Sequence, residues 1–305
     1  MKLLLAGRLD LTDKQLKLIK ALGDECTVMS DETARVEEPD VFDAVVCNGL
    51  FLYNDVAEFK NLKVVQSTSS GIERLPIQYF DTHGIVWHNA FGVYSVPIAE
   101  WAVMSALNLL KNSKDAYERQ RLKVWEKDRT QRELNGMTVT VVGVGSVGLE
   151  CAKRFKAFNT RVIGVDVKKV ESPYVDEFCY TDQLNDALKK TDVLVLSCAL
   201  TDETSNMIGK KQLEKLNPSA ILINASRGQV VDEKALIKAL VDKRIGGAAL
   251  DVFESEPLSA DSVLWDMPSV IVTPHSSFIS DKNKDRLFEL IYGNLSEFIR
   301  SGYGA

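Results

Sequence analysis

Metal-ligand and disulfide patterns are scarce in this sequence. Histidine occurs three times, and the five cysteines include no CxxC pair and no other metal-type spacing. An odd number of cysteines without such spacing argues against a disulfide framework and against a zinc site, and several of them lie in apolar runs where they would pack as small hydrophobic side chains. We therefore expect no bound metal and a reducing, cytoplasmic compartment.

Basic tracts and long apolar runs are also absent. Lys and Arg number 37 against 43 Asp and Glu, which gives a formal net charge of -6. This balance argues against nucleic acid or an anionic membrane as the main partner. The opening stretch, MKLLLAGRLD, is apolar over only a few residues, too few for a signal peptide or a membrane span.

The sequence does contain the material for a large core. Of its 305 residues, 45% are hydrophobic and 26% are charged, as in ordinary globular proteins. A chain of this length usually forms two domains, because a single core seldom extends so far. No internal repeat, low-complexity tract or long polar linker interrupts it.

Short apolar runs alternate with amphipathic segments from residue 137 onward. The runs include TVTVVG, RVIGVD, DVLVLS, AILINA and VIVTP, and one of the helical patterns between them covers residues 147–157. Runs that are apolar at every position indicate strands buried on both faces, and their alternation with helices predicts a parallel, doubly wound α/β sheet. The first ninety residues repeat the pattern more weakly, which predicts a second, smaller α/β unit. Residues 95–112 predict a long apolar helix between the two.

A glycine pattern lies between the first strand of the large predicted sheet and its helix. The motif is G-x-G-x-x-G, and an acid ends the next strand. Its glycines permit a tight turn, close approach of a pyrophosphate and helix–strand packing, while the acid accepts hydrogen bonds from a ribose. Because an acid also repels a 2′-phosphate, NAD is favoured and NADP less so, although Lys168 and Lys169 soften that preference. We expect the dinucleotide at Gly143, Gly145, Ser146, Val147, Gly148 and Asp166.

Three reactive side chains follow the carboxyl ends of successive predicted strands. They are Arg227, Glu256 and His275. Each alone fits a capped loop, a turn or a structural histidine, but parallel strands would bring all three to the edge where ligands bind. An imidazole exchanges protons near neutrality, a carboxylate on its other nitrogen stabilises the imidazolium, and a guanidinium matches a carboxylate. With a hydride from the dinucleotide, this set suits a 2-keto or 2-hydroxy acid.

Several ordered motifs resemble the D-isomer-specific 2-hydroxyacid dehydrogenase family. They are ELNGMTVTVVGVGSVG, LTDETSNMIGKKQLEKLNPSAILINASRGQVVDEKALIKAL, AALDVFESEPL and VIVTPHSS, and the resemblance covers most of residues 60–280. The family includes glyoxylate/hydroxypyruvate reductases, D-lactate dehydrogenases and D-3-phosphoglycerate dehydrogenases. The resemblance implies that Arg227, Glu256 and His275 are catalytic.

The resemblance also implies further contacts. Asp251 and the Ala225 backbone would hold the nicotinamide amide, and Thr204 would lie near the cofactor phosphates. A loop of backbone N–H groups, residues 67–71, would hold the substrate carboxylate, although a plain Ser/Gly turn is the alternative; the predicted substrate-binding residues are Ser69, Ser70, Gly71 and Arg227. Ser276 and Ser277 depart from the family, in which an apolar residue and Gly or Ala are commoner after the histidine.

The family's habit further implies a homodimer, with residues 94–130 as its interface. Trp125, within that region, is either packed in its own chain or a subunit contact. We assign residues 93–279 to a dinucleotide-binding domain of the Rossmann type and residues 1–92 with 280–305 to a discontinuous, flavodoxin-like substrate domain.

The sequence thus predicts a cytoplasmic, NAD-linked D-2-hydroxyacid dehydrogenase that acts on a small 2-keto acid or D-2-hydroxy acid, with glyoxylate or hydroxypyruvate favoured. A formate dehydrogenase is less suitable, because it has no proton to transfer and little use for Glu256 beside His275. The alternative in another class is an NAD(H)-sensing corepressor or binding protein on the same fold.

Overall fold

A computed structural model describes residues 1–302 of the chain. The chain divides into two compact units: unit 1 is Met1–Tyr94 together with the chain from Ser280 onward, and unit 2 is Ser95–Ile279. The last three residues of the segment 280–305, which the sequence analysis assigned to the smaller domain, lie outside the described residues. No helix in the described part has both the length and the apolar character that crossing a membrane would require.

Unit 1 contains a five-stranded parallel sheet with the strand order β2-β1-β3-β4-β5. The first seven helices and strands of the chain belong to it: β1 (Lys2–Ala6), α1 (Asp13–Lys20), β2 (Glu25–Met29), β3 (Ala44–Cys47), β4 (Val64–Ser67), α2 (Ile77–His83) and β5 (Val86–His88). β3 is buried at every position, as its apolar sequence predicted, and β4 is equally buried although it ends in the polar residues Gln66 and Ser67. β2 was not predicted, because its sequence ECTVM begins with a charge and no residue of this edge strand is fully buried.

Unit 2 contains a seven-stranded parallel sheet with the order β12-β11-β10-β9-β6-β7-β8. The remaining elements follow in chain order, the last of them returning to unit 1: α3 (Ser95–Leu110), α4 (Ser113–Leu122), β6 (Thr138–Val142), α5 (Ser146–Lys156), β7 (Arg161–Asp166), β8 (Glu177–Tyr180), α6 (Leu184–Leu188), β9 (Val193–Leu196), α7 (Lys210–Leu213), β10 (Ile221–Asn224), α8 (Glu233–Val241), β11 (Gly247–Leu250), β12 (Val270–Val272) and α9 (Asn283–Arg300). The edge strand β8 was also missed, since its sequence EFCY is short and partly polar.

The strand order of unit 2 determines where a ligand can bind. From β6 the chain adds β7 and β8 on one side, and then returns to place β9 and its successors on the other. The carboxyl ends of these parallel strands share one edge. In doubly wound sheets ligands bind at that edge where the strand order reverses, which in this sheet is between β6 and β9. The predicted fold class, a doubly wound parallel sheet with a second, smaller flavodoxin-like α/β unit, is confirmed.

The C-terminal helix α9 completes the core of unit 1. Its apolar stripe is buried against β1, β3 and α1, and consists of Leu287, Phe288, Ile291, Leu295 and Phe298. The opposite face carries charged residues, so that α9 is amphipathic, as a helix covering one side of a sheet must be. A segment far from β1 in sequence is therefore part of the same hydrophobic core.

We expect Ile291→Ala to lower the free energy of unfolding of unit 1 by about 2–5 kcal/mol, because Ile291 has no exposed surface and its truncation leaves a cavity. Leu18→Ala on α1, at a side chain that is 39% exposed, is the control and should cost about 0.5 kcal/mol. Urea unfolding followed by circular dichroism measures both. Equal losses for the two variants would contradict the packing of α9 described here.

Candidate active site

The turn between β6 and α5 is closely packed at two of its three glycines. Gly143 has a φ of +86°, and a Cβ there would lie 2.5 Å from the Cys198 backbone. A Cβ at Gly148 would lie 2.0 Å from the carbonyl oxygen of Gly143. Both contacts are far below a tolerable distance, so these two positions require glycine for the turn and for helix–strand packing.

Gly145, the middle glycine, has a different environment. A Cβ at Gly145 would meet no heavy atom within 4 Å. Gly145 is the N-cap of α5 and supplies no side-chain cap to the first N–H groups of this helix. Backbone N–H groups at a helix N-terminus attract a phosphate, and the space above Gly145 fits the approach of a dinucleotide pyrophosphate.

Asp166 is held by the backbone on both of its carboxylate oxygens. Oδ2 accepts a hydrogen bond of 2.7 Å from the N–H of Val144, in the glycine turn, and Oδ1 accepts from the N–H groups of Val167 at 2.7 Å and Lys168 at 3.3 Å. An ionised carboxylate has about four acceptor positions, so one remains for a ribose hydroxyl. The sequence predicted that Asp166 accepts hydrogen bonds from a ribose. It did not predict that Asp166 also connects the glycine turn to the end of β7.

The ends of β9 and β10 carry the other predicted cofactor residues. The hydroxyl of Thr204 donates to the Ala199 carbonyl and accepts from the Thr201 N–H, each at 2.7 Å, so it is committed to its own loop. The N–H of Ala225 donates to the Leu196 carbonyl at 3.3 Å. Burial raises the pKa of the Cys198 thiol to about 11, and the charge of Asp166 acts in the same direction. The Cys198 thiol is therefore neutral near pH 7.

His275 and Glu256 are in direct contact beyond the ends of β12 and β11. Nδ1 of His275 lies 2.8 Å from Oε2 of Glu256, and Oε1 of the same carboxylate accepts from the Phe253 N–H at 3.1 Å. Because an ionised carboxylate only accepts hydrogen bonds, Nδ1 donates, and Nε2 is the nitrogen available for proton exchange. The side chains are 44% and 35% exposed, so a small molecule can reach them.

Arg227 follows β10 on a turn that Asn224 stabilises. The Asn224 amide donates to the Arg227 carbonyl at 3.0 Å, and its Oδ1 accepts from the N–H and the hydroxyl of Ser226. A Cβ on Gly228 would lie 1.9 Å from the carbonyl carbon and oxygen of Phe253. The Arg227 turn therefore rests on the segment whose N–H orients Glu256. Gly228 was not predicted as a site residue, although glycine is the residue that permits such a close backbone approach.

Asp251 lies at the end of β11 and is fully buried. Its Oδ1 accepts from the Thr273 hydroxyl at 2.6 Å and from the Ser276 N–H at 2.8 Å, and its Oδ2 accepts from the Ser277 N–H at 2.9 Å. All three donors belong to the loop that carries His275. Within residues 1–302, no group of three or more His, Cys, Asp and Glu side chains is arranged to hold a metal ion.

The loop after β4 belongs to unit 1. The N–H groups of Ser69 and Gly71 donate to the hydroxyls of Ser67 and Ser69, at 3.1 and 3.2 Å. The Ser70 hydroxyl donates to the Ala90 carbonyl at 3.0 Å. These hydrogen bonds organise a compact turn whose N–H groups point to small hydroxyl acceptors, which an anion can replace.

Comparison with known proteins adds to this geometry. The sequence profile described as "D-isomer specific 2-hydroxyacid dehydrogenase, NAD binding domain" matches residues 103–277. The chain belongs to this family. The predicted family and the prediction of an enzyme of this class are thus confirmed, and the dehydrogenase contains an NAD-binding domain by the same match.

Individual relatives of this 2-hydroxyacid dehydrogenase are named as reductases of the same kind. A glyoxylate reductase of Thermofilum pendens is 34% identical over 77% of this chain and 71% of its own. A glyoxylate/hydroxypyruvate reductase of Arabidopsis thaliana is 32% identical over 89% of this chain and 87% of its own. Among solved structures, an NADPH-dependent glyoxylate/hydroxypyruvate reductase of Sinorhizobium meliloti, with NADP and malonate, is 26% identical, with a TM-score of 0.81 over 98% of this chain and 93% of that one. The corepressor alternative is not favoured, since these relatives are named as reductases.

An added methyl group should have different effects at two glycines of the turn: it should lower stability at Gly148 and weaken NADH binding at Gly145. Gly148→Ala should lower the melting temperature, because its Cβ would displace α5 from Gly143. Gly145→Ala should melt as the wild type does but bind NADH at least about tenfold more weakly, since its methyl group would occupy the space for the pyrophosphate. Thermal melting and titration of NADH fluorescence measure the pair. Wild-type NADH affinity in Gly145→Ala would contradict this location of the phosphates.

Proposed function

We propose that this dehydrogenase reduces a small 2-keto acid to its D-2-hydroxy acid with NADH, and that Arg227, Glu256 and His275 are its catalytic residues. The observation that carries the proposal is the 2.8 Å contact between Nδ1 of His275 and Oε2 of Glu256 at the carboxyl edge of the large sheet. Glyoxylate and hydroxypyruvate are the favoured substrates, because relatives that cover most of the chain are named for them.

His275 acts as the proton donor in reduction. NADH, when bound, would supply the hydride for the carbonyl carbon of the substrate. Nε2 of the imidazolium donates its proton to the carbonyl oxygen, which becomes the hydroxyl of the product. Glu256 holds Nδ1 and stabilises the imidazolium before the transfer, while the Phe253 N–H keeps this carboxylate in place. In the reverse direction the neutral imidazole accepts the proton.

Arg227 binds the substrate carboxylate and polarises the adjacent carbonyl. Its planar guanidinium offers two parallel N–H donors to a carboxylate. The other proposed substrate-binding groups are the backbone N–H groups of Ser69, Ser70 and Gly71, in the loop after β4 of unit 1. In this assignment unit 1 is the substrate domain and unit 2 the dinucleotide-binding domain, with Thr204 near the phosphates and Ala225 at the nicotinamide.

NADH is the proposed cofactor in preference to NADPH. Asp166 keeps its negative charge fixed at the end of β7 through three backbone N–H groups. A 2′-phosphate at this position would be repelled. The cytoplasm is the proposed compartment, because the five cysteines are all free thiols and a reducing environment preserves them.

The functional form is a homodimer joined through residues 94–130. Trp125 is fully exposed and does not pack in its own chain, and Tyr117, Leu122 and Val124 beside it are exposed as well. Exposed large apolar side chains within one short segment of the chain favour a protein partner. A surface cavity of about 490 Å³, which Val124 and Trp125 help to line, provides room for a side chain from the second copy.

Purified protein should oxidise NADH in the presence of glyoxylate or hydroxypyruvate, with a higher kcat/KM for NADH than for NADPH. His275→Gln should lower kcat by about a hundredfold or more, because general acid catalysis contributes that much. The absorbance of NADH measures the rate against a panel of 2-keto acids. No turnover with any member of the panel would refute the proposal.

Glu256→Gln tests whether the Glu256 carboxylate stabilises the imidazolium of His275. Its amide retains the shape of Glu256 but not its charge, so kcat for keto-acid reduction should fall by about tenfold or more, because the proton-donating imidazole loses its charged partner. The absorbance of NADH measures this. Glu254→Gln, at the exposed neighbour whose N–H donates to the Glu233 carboxylate, is the matched control and should leave kcat unchanged.

In solution the protein should have about twice the 33.9 kDa mass of one chain, and Trp125→Asp should shift it towards the monomer, because a charge would be buried in the interface. Light scattering measures both. A wild-type particle with the mass of one chain would refute the dimer.

A further inference from the structure

The buried carboxylate of Asp251 has an unusual set of partners. It has no exposed surface, and no Lys, Arg or His in residues 1–302 forms an ion pair with it. A buried charge without a counterion is costly unless hydrogen-bond donors surround it. Here the donors are the Thr273 hydroxyl and the N–H groups of Ser276 and Ser277. The charge is therefore stabilised entirely by residues 273–277.

The same residue also holds the backbone of His275. The carbonyl oxygen of Asp251 accepts the His275 N–H at 2.8 Å. His275 has a φ of +49°, in the left-handed region that side-chain-bearing residues seldom adopt. The conformation persists because the contacts of Asp251 fix the loop on both sides of the histidine. These contacts are the means by which Nδ1 stays 2.8 Å from Glu256.

We propose that Asp251 is the positioning residue of His275, and that its effect on catalysis passes through the 273–277 loop. This role is distinct from the nicotinamide contact that the family resemblance implied for Asp251. The inference rests on the proposed function, because it gives a task to the proton-donating histidine. It also accounts for Ser276 and Ser277: both bond to Asp251 through N–H groups, which an apolar residue or Gly in these places supplies equally.

Substitution of Thr273 tests this arrangement, because the Thr273 hydroxyl is the only side-chain group among the three hydrogen-bond donors to the Asp251 carboxylate. Thr273→Val removes the hydroxyl but keeps the shape, and Thr273→Ser keeps the hydroxyl. In Thr273→Val we expect kcat for keto-acid reduction to fall by about tenfold or more, because a small displacement of a catalytic group has large effects on rate. The dissociation constant of NADH should not change. Thr273→Ser should restore most of kcat.

Loss of NADH affinity in Thr273→Val with kcat unchanged would overturn the inference in favour of a nicotinamide contact. An equal loss of kcat in Thr273→Ser would also overturn it. Thr191→Val is the matched control, because it removes another buried hydroxyl of unit 2, one that bonds Thr140 and the Ala187 carbonyl. It should reduce stability and leave kcat unchanged.

A readout without turnover separates this inference from the proposed function. The chain has three histidines, so the imidazole signal of His275 in an NMR spectrum is assigned by its loss in His275→Gln. Thr273→Val should shift this signal and leave those of His83 and His88 in place, while Thr273→Ser should not shift it. An unmoved His275 signal in Thr273→Val refutes the positioning role even if no keto acid is turned over. Absence of turnover with the signal shifted as expected refutes only the proposed function.

Discussion

His275 and Glu256 are 19 positions apart in sequence, and their hydrogen bond of 2.8 Å depends on the architecture of the whole of unit 2. β11 and β12 are neighbours and run in the same direction, so the loops that follow them leave the sheet together. Asp251 at the end of β11 then fixes the loop after β12, and the Phe253 N–H fixes Glu256. The strands provide the rough placement, and hydrogen bonds between loops provide the final alignment.

Backbone contacts connect this pair to the rest of the edge. Gly228 brings the turn of Arg227 against the Phe253 carbonyl, where no side chain would fit. At the other side of the sheet, Gly143 and Gly148 bring α5 against β6, and Asp166 ties the turn between them to β7. Two features thus recur along this edge of the sheet. Glycines allow close backbone contacts, and carboxylates accept hydrogen bonds from backbone N–H groups. A rigid edge of this kind suits a reaction that requires hydride and proton to be delivered to adjacent atoms.

Much of this could be predicted from the sequence because burial leaves a clear pattern. Strands buried on both faces, such as β3 and β9, are apolar at every position, and the glycine turn has a fixed spacing. The edge strands β2 and β8 were missed because exposed positions relax that pattern. The hydrogen bonds of Asp251 and Asp166 were missed for a different reason: their partners are mostly backbone N–H groups, which every residue except proline possesses. The residue types at positions 276 and 277 therefore do not indicate that their N–H groups donate to Asp251.

A structure of the protein with NADH and a non-reactive keto-acid analogue such as oxamate tests the central claim most directly. The account predicts that the analogue's carbonyl oxygen accepts a hydrogen bond from Nε2 of His275, that Nδ1 stays on Glu256, and that the guanidinium of Arg227 binds the analogue's carboxylate. An analogue bound elsewhere, or held at this edge with its carbonyl beyond hydrogen-bond distance of His275, would contradict it.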